Sequence, residues 1–214
     1  MRELAEGVWQ LDGFPKNNVN VYVIGDILVD AGMPFDKGRI AKQIMGREIS
    51  AHALTHAHPD HLGASHALCK DLGLPLWCGA DDVESVERGQ TATRFFGGWF
   101  PGPAAHPVDK GLREGDEVGG FKVVETPGHS PGHVSYWRES DRTLLCGDVV
   151  FGYNPFLMMG GLREPPRLFS FDPAQNRESA RRLAALEPEL VCFGHGPPLR
   201  DPQKLKRFVE SLPA

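Results

Sequence analysis

Thr55-His-Ala-His-Pro-Asp-His61 places three imidazoles and a carboxylate, His56, His58, Asp60 and His61, within six positions. The residues just before them, Ala51 to Thr55, read as a short apolar strand. Continuing its alternation puts His56 and His58 on one side of the backbone, and Pro59 ends the strand. Asp60 and His61 then open a predicted helix through Leu62, Ala64, Leu68 and Leu72, so the four groups converge where a strand ends and a helix begins. Solvated loop residues would account for one such histidine, but poorly for three with an aspartate among them.

Three more residues of the same chemistry follow as isolated motifs: His129 in TPGHSPGH, Asp148 in LLCGDVVF and His195 in VCFGHG. Five imidazoles and two carboxylates are the donor set expected of two divalent ions sharing one carboxylate. Imidazole with carboxylate suits zinc above all, and also iron or manganese.

The ordered set HxHxDH, then a lone His, a lone Asp and a lone His, resembles the metallo-β-lactamase-fold superfamily of metallohydrolases. Asp30, closing Ile27-Leu-Val-Asp30, resembles that family's early aspartate, which supports the site without ligating. The residues alone support a mixed α/β chain with two sheets; the resemblance implies a four-layer αββα sandwich with helices outside. It implies that His56, His58 and His129 hold one ion, that Asp60, His61 and His195 hold the other, and that Asp148 bridges. Two such ions would share a hydroxide that attacks an electrophilic carbonyl or phosphorus, with Asp60 orienting it and passing its proton to the leaving group. His133, four residues past His129, resembles a position that supports the site by hydrogen bonding. His52, His66 and His106 read as ordinary histidines.

TPGHSPGH and CGDVVF are most similar to the glyoxalase II-like branch, whose members hydrolyse acyl-glutathione thioesters. Glyoxalase II proper carries a carboxy-terminal helical domain with basic residues for glutathione, whereas about nineteen residues follow His195 here. The expected basic and tyrosyl contacts are not recognisable in Gly152-Tyr-Asn-Pro-Phe-Leu-Met-Met159. Acyl-homoserine lactonases share the ligands and typically place a tyrosine three positions after the bridging aspartate; Phe151 stands there, with Tyr153 nearby. The expectation is a dinuclear hydrolase of an ester, thioester or lactone-type small molecule. The alternatives are a persulfide dioxygenase-like enzyme with one iron, which tends to lack a histidine at the place of His133, and a non-catalytic binding protein. Inactive relatives usually lose ligands, and all seven stand here.

The balance of 23 basic against 28 acidic residues, a net charge of −5, leaves no electrostatic footprint for nucleic acid or an anionic membrane. With 214 residues the chain suits one domain, 1–214. No signal-peptide pattern and no apolar run long enough for a membrane span appears, so a cytoplasmic protein acting on small molecules is expected. Cys69, Cys78, Cys146 and Cys192 lack CxxC spacing and read as reduced core thiols.

Strands are predicted at Val19 to Ile24, Ile27 to Asp30, Leu76 to Cys78, Phe121 to Thr126, Val134 to Trp137, Thr143 to Cys146 and Leu190 to Phe193, the first two joined by Gly25-Asp26. Helices are predicted from Asp36, with Ile40 and Ile44 inward, and over Ala80 to Glu87. Two more carry Asp-Pro starts at Asp172-Pro173 and Asp201-Pro202. Gly89 to His106 and Gly152 to Ser170 read as irregular functional loops. Their aromatics, Phe95, Phe96, Trp99, Phe100, Tyr153 and Phe156, together with Phe151, are candidates for a substrate pocket or for contact with a second subunit in a homodimer.

Overall fold

The computed structural model describes residues 1–91, 102–154 and 159–213. Its first sheet has seven strands in chain order: β1 (Arg2–Ala5), β2 (Val8–Gln10), β3 (Tyr22–Ile24), β4 (Ile27–Val29), β5 (Ala51–Ala53), β6 (Leu76–Gly79) and β7 (Lys110–Leu112). β1 to β4 pair antiparallel as a meander, and β4 to β7 pair parallel, with helices on the crossovers. The second sheet contains β8 (Glu117–Val118), β9 (Phe121–Glu125), β10 (Val134–Arg138), β11 (Thr143–Gly147) and β14 (Leu190–Phe193), in the order β14-β11-β10-β9-β8. Only its β11–β14 pair is parallel. A separate hairpin joins β12 (Phe151–Asn154) to β13 (Met159–Arg163).

Strand alternation separates the apolar residues into layers. Tyr22, Ile24, Ala51 and Ala53 of the first sheet meet Phe121, Val123, Tyr136, Leu145 and Cys192 of the second in one buried cluster. Their neighbours point outward: Val23 and Leu28 pack beneath α1 (Lys37–Ile44) and α3 (Ser65–Leu72) through Ile40, Ile44 and Leu68. Val124, Leu144 and Val191 pack beneath α5 (Pro173–Ala185) and α6 (Pro202–Glu210) through Leu183, Leu205 and Val209. The result is helix, sheet, sheet, helix, the layering expected from the resemblance. Both Asp-Pro starts are real caps: the Asp172 carboxylate accepts from the N–H of Ala174 and Gln175, and Asp201 accepts from Lys204 N–H.

Several expectations need correction. The helix from Asp60 to Leu72 is two helices, α2 (Pro59–Leu62) and α3, parted at Gly63-Ala64. His61 carbonyl accepts from Ala31 N–H at 2.6 Å, and Gly63 is so enclosed that a Cβ there would meet Gly32 O at 2.7 Å. Docking on the strand-end turn therefore outcompetes helix continuity. The helix over Ala80 to Glu87 is a 3₁₀ turn (Ala80–Asp82) followed by α4 (Val83–Glu87). The strand expected from Val19 begins at Tyr22: Val21 O still accepts from Leu11 N–H, but Asn20 N–H is taken by Gly194 O, across the site. The segment from Gly152 to Ser170 is not irregular throughout, since it contains most of the β12–β13 hairpin. Phe95, Phe96, Trp99, Phe100 and Phe156 lie outside the described residues.

Candidate metal centre

All seven predicted ligands come together at strand ends on one edge of the two sheets. His56 and His58 follow β5, Asp60 and His61 lie in α2, His129 follows β9, Asp148 follows β11 and His195 follows β14. Three sets of donor atoms lie within 4.8 Å of one another: His56, His58 and His129; His56, His61 and Asp148; Asp60, His61 and His195. Asp148 Oδ2 stands 3.7 Å from His56 Nε2, 3.4 Å from His61 Nε2, 3.3 Å from His129 Nε2 and 3.2 Å from His195 Nε2. Asp60 Oδ2 is 3.2 Å from His195 Nε2 and 3.8 Å from His61 Nε2.

The outer hydrogen bonds decide which ring nitrogen faces inward. Thr55 Oγ1 donates to the Asp30 carboxylate, so at 3.0 Å from His56 Nδ1 it must accept from that nitrogen, leaving the His56 Nε2 lone pair free. His61 Nδ1–H donates to Asp30 Oδ2 at 2.9 Å, and His195 Nδ1–H donates to the carbonyl of Asn18. His129 Nδ1 lies 3.2 Å from Ser170 Oγ. In these four rings Nδ1 is engaged from outside and Nε2 turns toward the others, the arrangement that orients imidazoles for a cation. His133 is reversed: its Nε2 accepts from Asp148 N–H at 3.0 Å and its Nδ1 faces Thr126 Oγ1 at 2.8 Å. With no lone pair to offer, it holds the Asp148 backbone instead.

Buried polar atoms ordinarily find a partner, and leaving one without costs roughly 1–3 kcal/mol. Here His56 Nε2, His58 Nε2, His129 Nε2 and Asp148 Oδ1 are buried with none. Four converging orphan acceptors fit divalent cations. The charges agree. Burial keeps His56 and His58 well below the ordinary imidazole value. Burial also opposes charge on His195, but the Asp148 and Asp60 carboxylates outweigh it and push that group up to about 10. Asp148 is held well below the carboxylate range because His195 and His61 outweigh its burial. The carboxylates thus favour positive charge at His61 and His195 while His56 and His58 stay neutral, a place a metal ion would take over. Of the seven candidates Asp60 is the open one, with 33% of its side chain exposed, and it marks the mouth.

Asp30 occupies the left-handed region, φ 61°, which turns its carboxylate back beneath Thr55 and His61. Phe151 is buried, with its ring 4.5 Å from that of His195 and 6.2 Å from that of His129; Tyr153 is half-buried on the same strand. The ordinary histidines have structural partners. His52 bridges Leu28 O and Ser65 Oγ, while His66 and His106 face each other at 3.2 Å, tying α3 to the segment before β7. All four cysteines are free and buried; burial pushes Cys69 and Cys192 up to about 12, which keeps them as unreactive thiols. Thr55, Ser170 and Asn18, which set the ring nitrogens, were not legible in the sequence, because a lone Thr, Ser or backbone carbonyl carries no spacing signal.

A two-sheet sandwich with a histidine and aspartate cluster at its strand ends defines a metal-binding hydrolytic fold, and comparison with known proteins agrees. The model of the metallo-beta-lactamase superfamily matches residues 15–195. The chain belongs to this superfamily of metallo-hydrolases. It is 30% identical to "Probable metallo-hydrolase YflN" of Bacillus subtilis, across 92% of this chain and 86% of that protein. It is also 30% identical to a hydroxyacylglutathione hydrolase of Bdellovibrio bacteriovorus, across 77% of this chain but 54% of that protein. Among solved structures, TTHA1623 in a di-iron-bound form superposes with a TM-score of 0.72 at 32% identity, covering 96% of this chain and 99% of that one. No helix among the described residues is long and apolar enough to cross a membrane.

Proposed function

We propose that this chain is a dinuclear metal-dependent hydrolase that cleaves an ester, thioester or lactone-type bond in a small molecule. The observation that carries this reading is Asp148 Oδ2, which lies within 3.7 Å of His56, His61, His129 and His195 and so touches both halves of the donor set. His56, His58 and His129 would hold one ion and Asp60, His61 and His195 the other, with Asp148 shared. When bound, such a pair supplies a water nucleophile at neutral pH and Lewis-acid stabilisation of the oxyanion.

The chain's own groups do the rest. Asp60, a carboxylate at neutral pH, accepts the proton of the attacking water and returns it to the leaving oxygen or sulfur as the C–O or C–S bond breaks. The products are a carboxylic acid and an alcohol or thiol, or, from a lactone, one hydroxy acid carrying both groups. His133 and Asp30 hold the ligand loops in register. Phe151 supplies an apolar wall beside His129 and His195, against which a substrate's acyl part can lie.

Zinc is the metal best suited to this donor set, and iron and manganese suit it too; a di-iron relative makes iron the first competitor. The remaining parts of the reading are a single domain, a cytoplasmic location, a small-molecule substrate rather than nucleic acid, and a capacity to pair as a homodimer. Elemental analysis of protein purified without chelator should give close to two divalent ions per chain, and metal-loaded protein should hydrolyse members of a panel of thioesters, lactones and esters. A reproducible single iron with oxygen consumption on a persulfide would overturn the reading in favour of a dioxygenase.

A further inference from the structure

Asp82 is a carboxylate with no exposed surface, far in sequence from every candidate ligand. It ends the 3₁₀ turn after β6 and stands at the N-cap of α4, a position where aspartate ordinarily accepts from the helix's own first N–H groups. It does not cap this helix. Its Oδ2 instead accepts from Ala57 N–H at 2.9 Å and from Ser130 Oγ at 2.6 Å, and its Oδ1 accepts from Gly132 N–H at 2.8 Å. Ala57 lies between His56 and His58, and Ser130 follows His129. One carboxylate therefore joins the loop at the end of a strand in the first sheet to the loop at the end of a strand in the second.

The approach is possible only because glycine stands on both sides of it. A Cβ on Gly132 would meet Asp82 N at 2.3 Å, and one on Gly79 would meet Gly132 O at 1.8 Å. Burying a carboxylate is costly unless donors surround it, and the three donors here all come from the two ligand loops rather than from the helix Asp82 begins. The other donor set is fixed by different groups: Asp30 takes His61 Nδ1–H, and the Asn18 carbonyl takes that of His195.

We infer that Asp82 is a positioning residue for the His56, His58 and His129 set alone, setting the separation of its two loops and hence the affinity of that ion over its neighbour. This rests on the dinuclear reading above. Asp82→Asn keeps the shape but turns an N–H₂ group toward a donor, so at least one of the three bonds is lost and the grip on the loops loosens.

The test is titration of chelator-stripped wild type and Asp82→Asn with cobalt(II), followed by visible absorption and by competition with a chelator, alongside apo-protein melting. The variant should take up one ion as the wild type does and the other about 10–100-fold more weakly, the range expected when a group supporting a ligand is lost. Ile40→Ala, in α1 and fully buried in a cluster that includes no residue of either ligand loop, serves as the comparison for plain destabilisation. Equal weakening of both ions, in step with apo-protein melting as in Ile40→Ala, would overturn the inference, as would unchanged binding. Should Asp82→Asn fail to fold, Ser130→Ala removes one of the three donors and should give a smaller loss confined to the same ion; equal loss, or none, overturns the inference. A wild type that binds one cobalt overturns the dinuclear reading and this inference together, whereas two ions in the wild type without selective loss in the variant overturn this inference alone.

Discussion

At the scale of single residues, the site is governed by which nitrogen of each ring is left free. Asp148 is the sharpest case, because its Oδ2 lies near imidazoles of both sets while its Oδ1 has no partner. Asp148→Ala should lower the metal content of both sets and reduce turnover to background. Asp148→Asn should retain part of the metal with poor activity, since its amide keeps one acceptor but not the charge. Elemental analysis with steady-state kinetics on the two variants checks this, and full turnover with two tight ions in Asp148→Ala would remove the bridging role. All seven candidate ligands, which the fold brings together, were legible in the sequence because metal chemistry restricts donor types and the motifs are short and ordered. Thr55 and Asp82 were not, because what they do depends on contacts across 25 or more residues that no local spacing encodes.

Among elements, the segments that follow strand ends carry five of the seven candidate ligands and the short α2 carries Asp60 and His61, and some positions there tolerate glycine only. Gly147 has φ 53°, and a Cβ there would meet His133 Nε2 at 2.6 Å and Thr55 Cβ at 2.9 Å. Gly46 has φ 81° with nothing within 4 Å. Gly46→Ala should therefore cost only the left-handed backbone penalty, about 1–2 kcal/mol. Gly147→Ala should cost that plus crowding of roughly 1–3 kcal/mol and should disturb the His133 to Asp148 hydrogen bond. Urea midpoints of the two variants give the comparison; equal losses would show that the His133 contact gives way freely. Elements with strong local codes were predictable, such as the Asp172-Pro173 and Asp201-Pro202 starts and the turn at Gly25-Asp26. The short strands β1, β2, β7 and β8 were not. At two to four residues, they exist because neighbours in the sheet supply partners, not because their own pattern demands it.

On the scale of the whole molecule, two linkages tie solution conditions to stability. If ions bind the folded chain alone, chelation should lower Tm, by an amount that grows with the logarithm of free metal over Kd. A scan in chelator against one in added zinc measures this, and coincident transitions would mean that the ions contribute nothing to the fold. The second linkage is to pH. Burial lowers the pKa of His52, which bridges Leu28 O and Ser65 Oγ as a neutral ring. The unfolded chain, with an imidazole near the ordinary value of about 6.5, then binds more protons than the folded one below that pH. The stability His52 contributes is present above about pH 6.5 and is lost as pH falls toward the lowered folded value. The stability gap between wild type and His52→Gln should thus narrow by up to about 1.4 kcal/mol per pH unit below that point. A gap that stays constant from pH 8 to 5.5 would show that the ring protonates freely in the fold.

The tie between His195 and the Asn18 carbonyl spans 177 positions, and Asn20 Nδ2 adds bonds to Phe193 O and Gly196 O across similar separations. Contacts so distant along the chain close late, since each must await the loop between them. During synthesis His56, His58 and His129 all emerge before His195, so on the dinuclear reading the residues of the two donor sets become available at different times. On that reading, filling of the second set would report that both ends of the sandwich have met, and an ion captured there would act as a clasp fastened on a nearly finished fold.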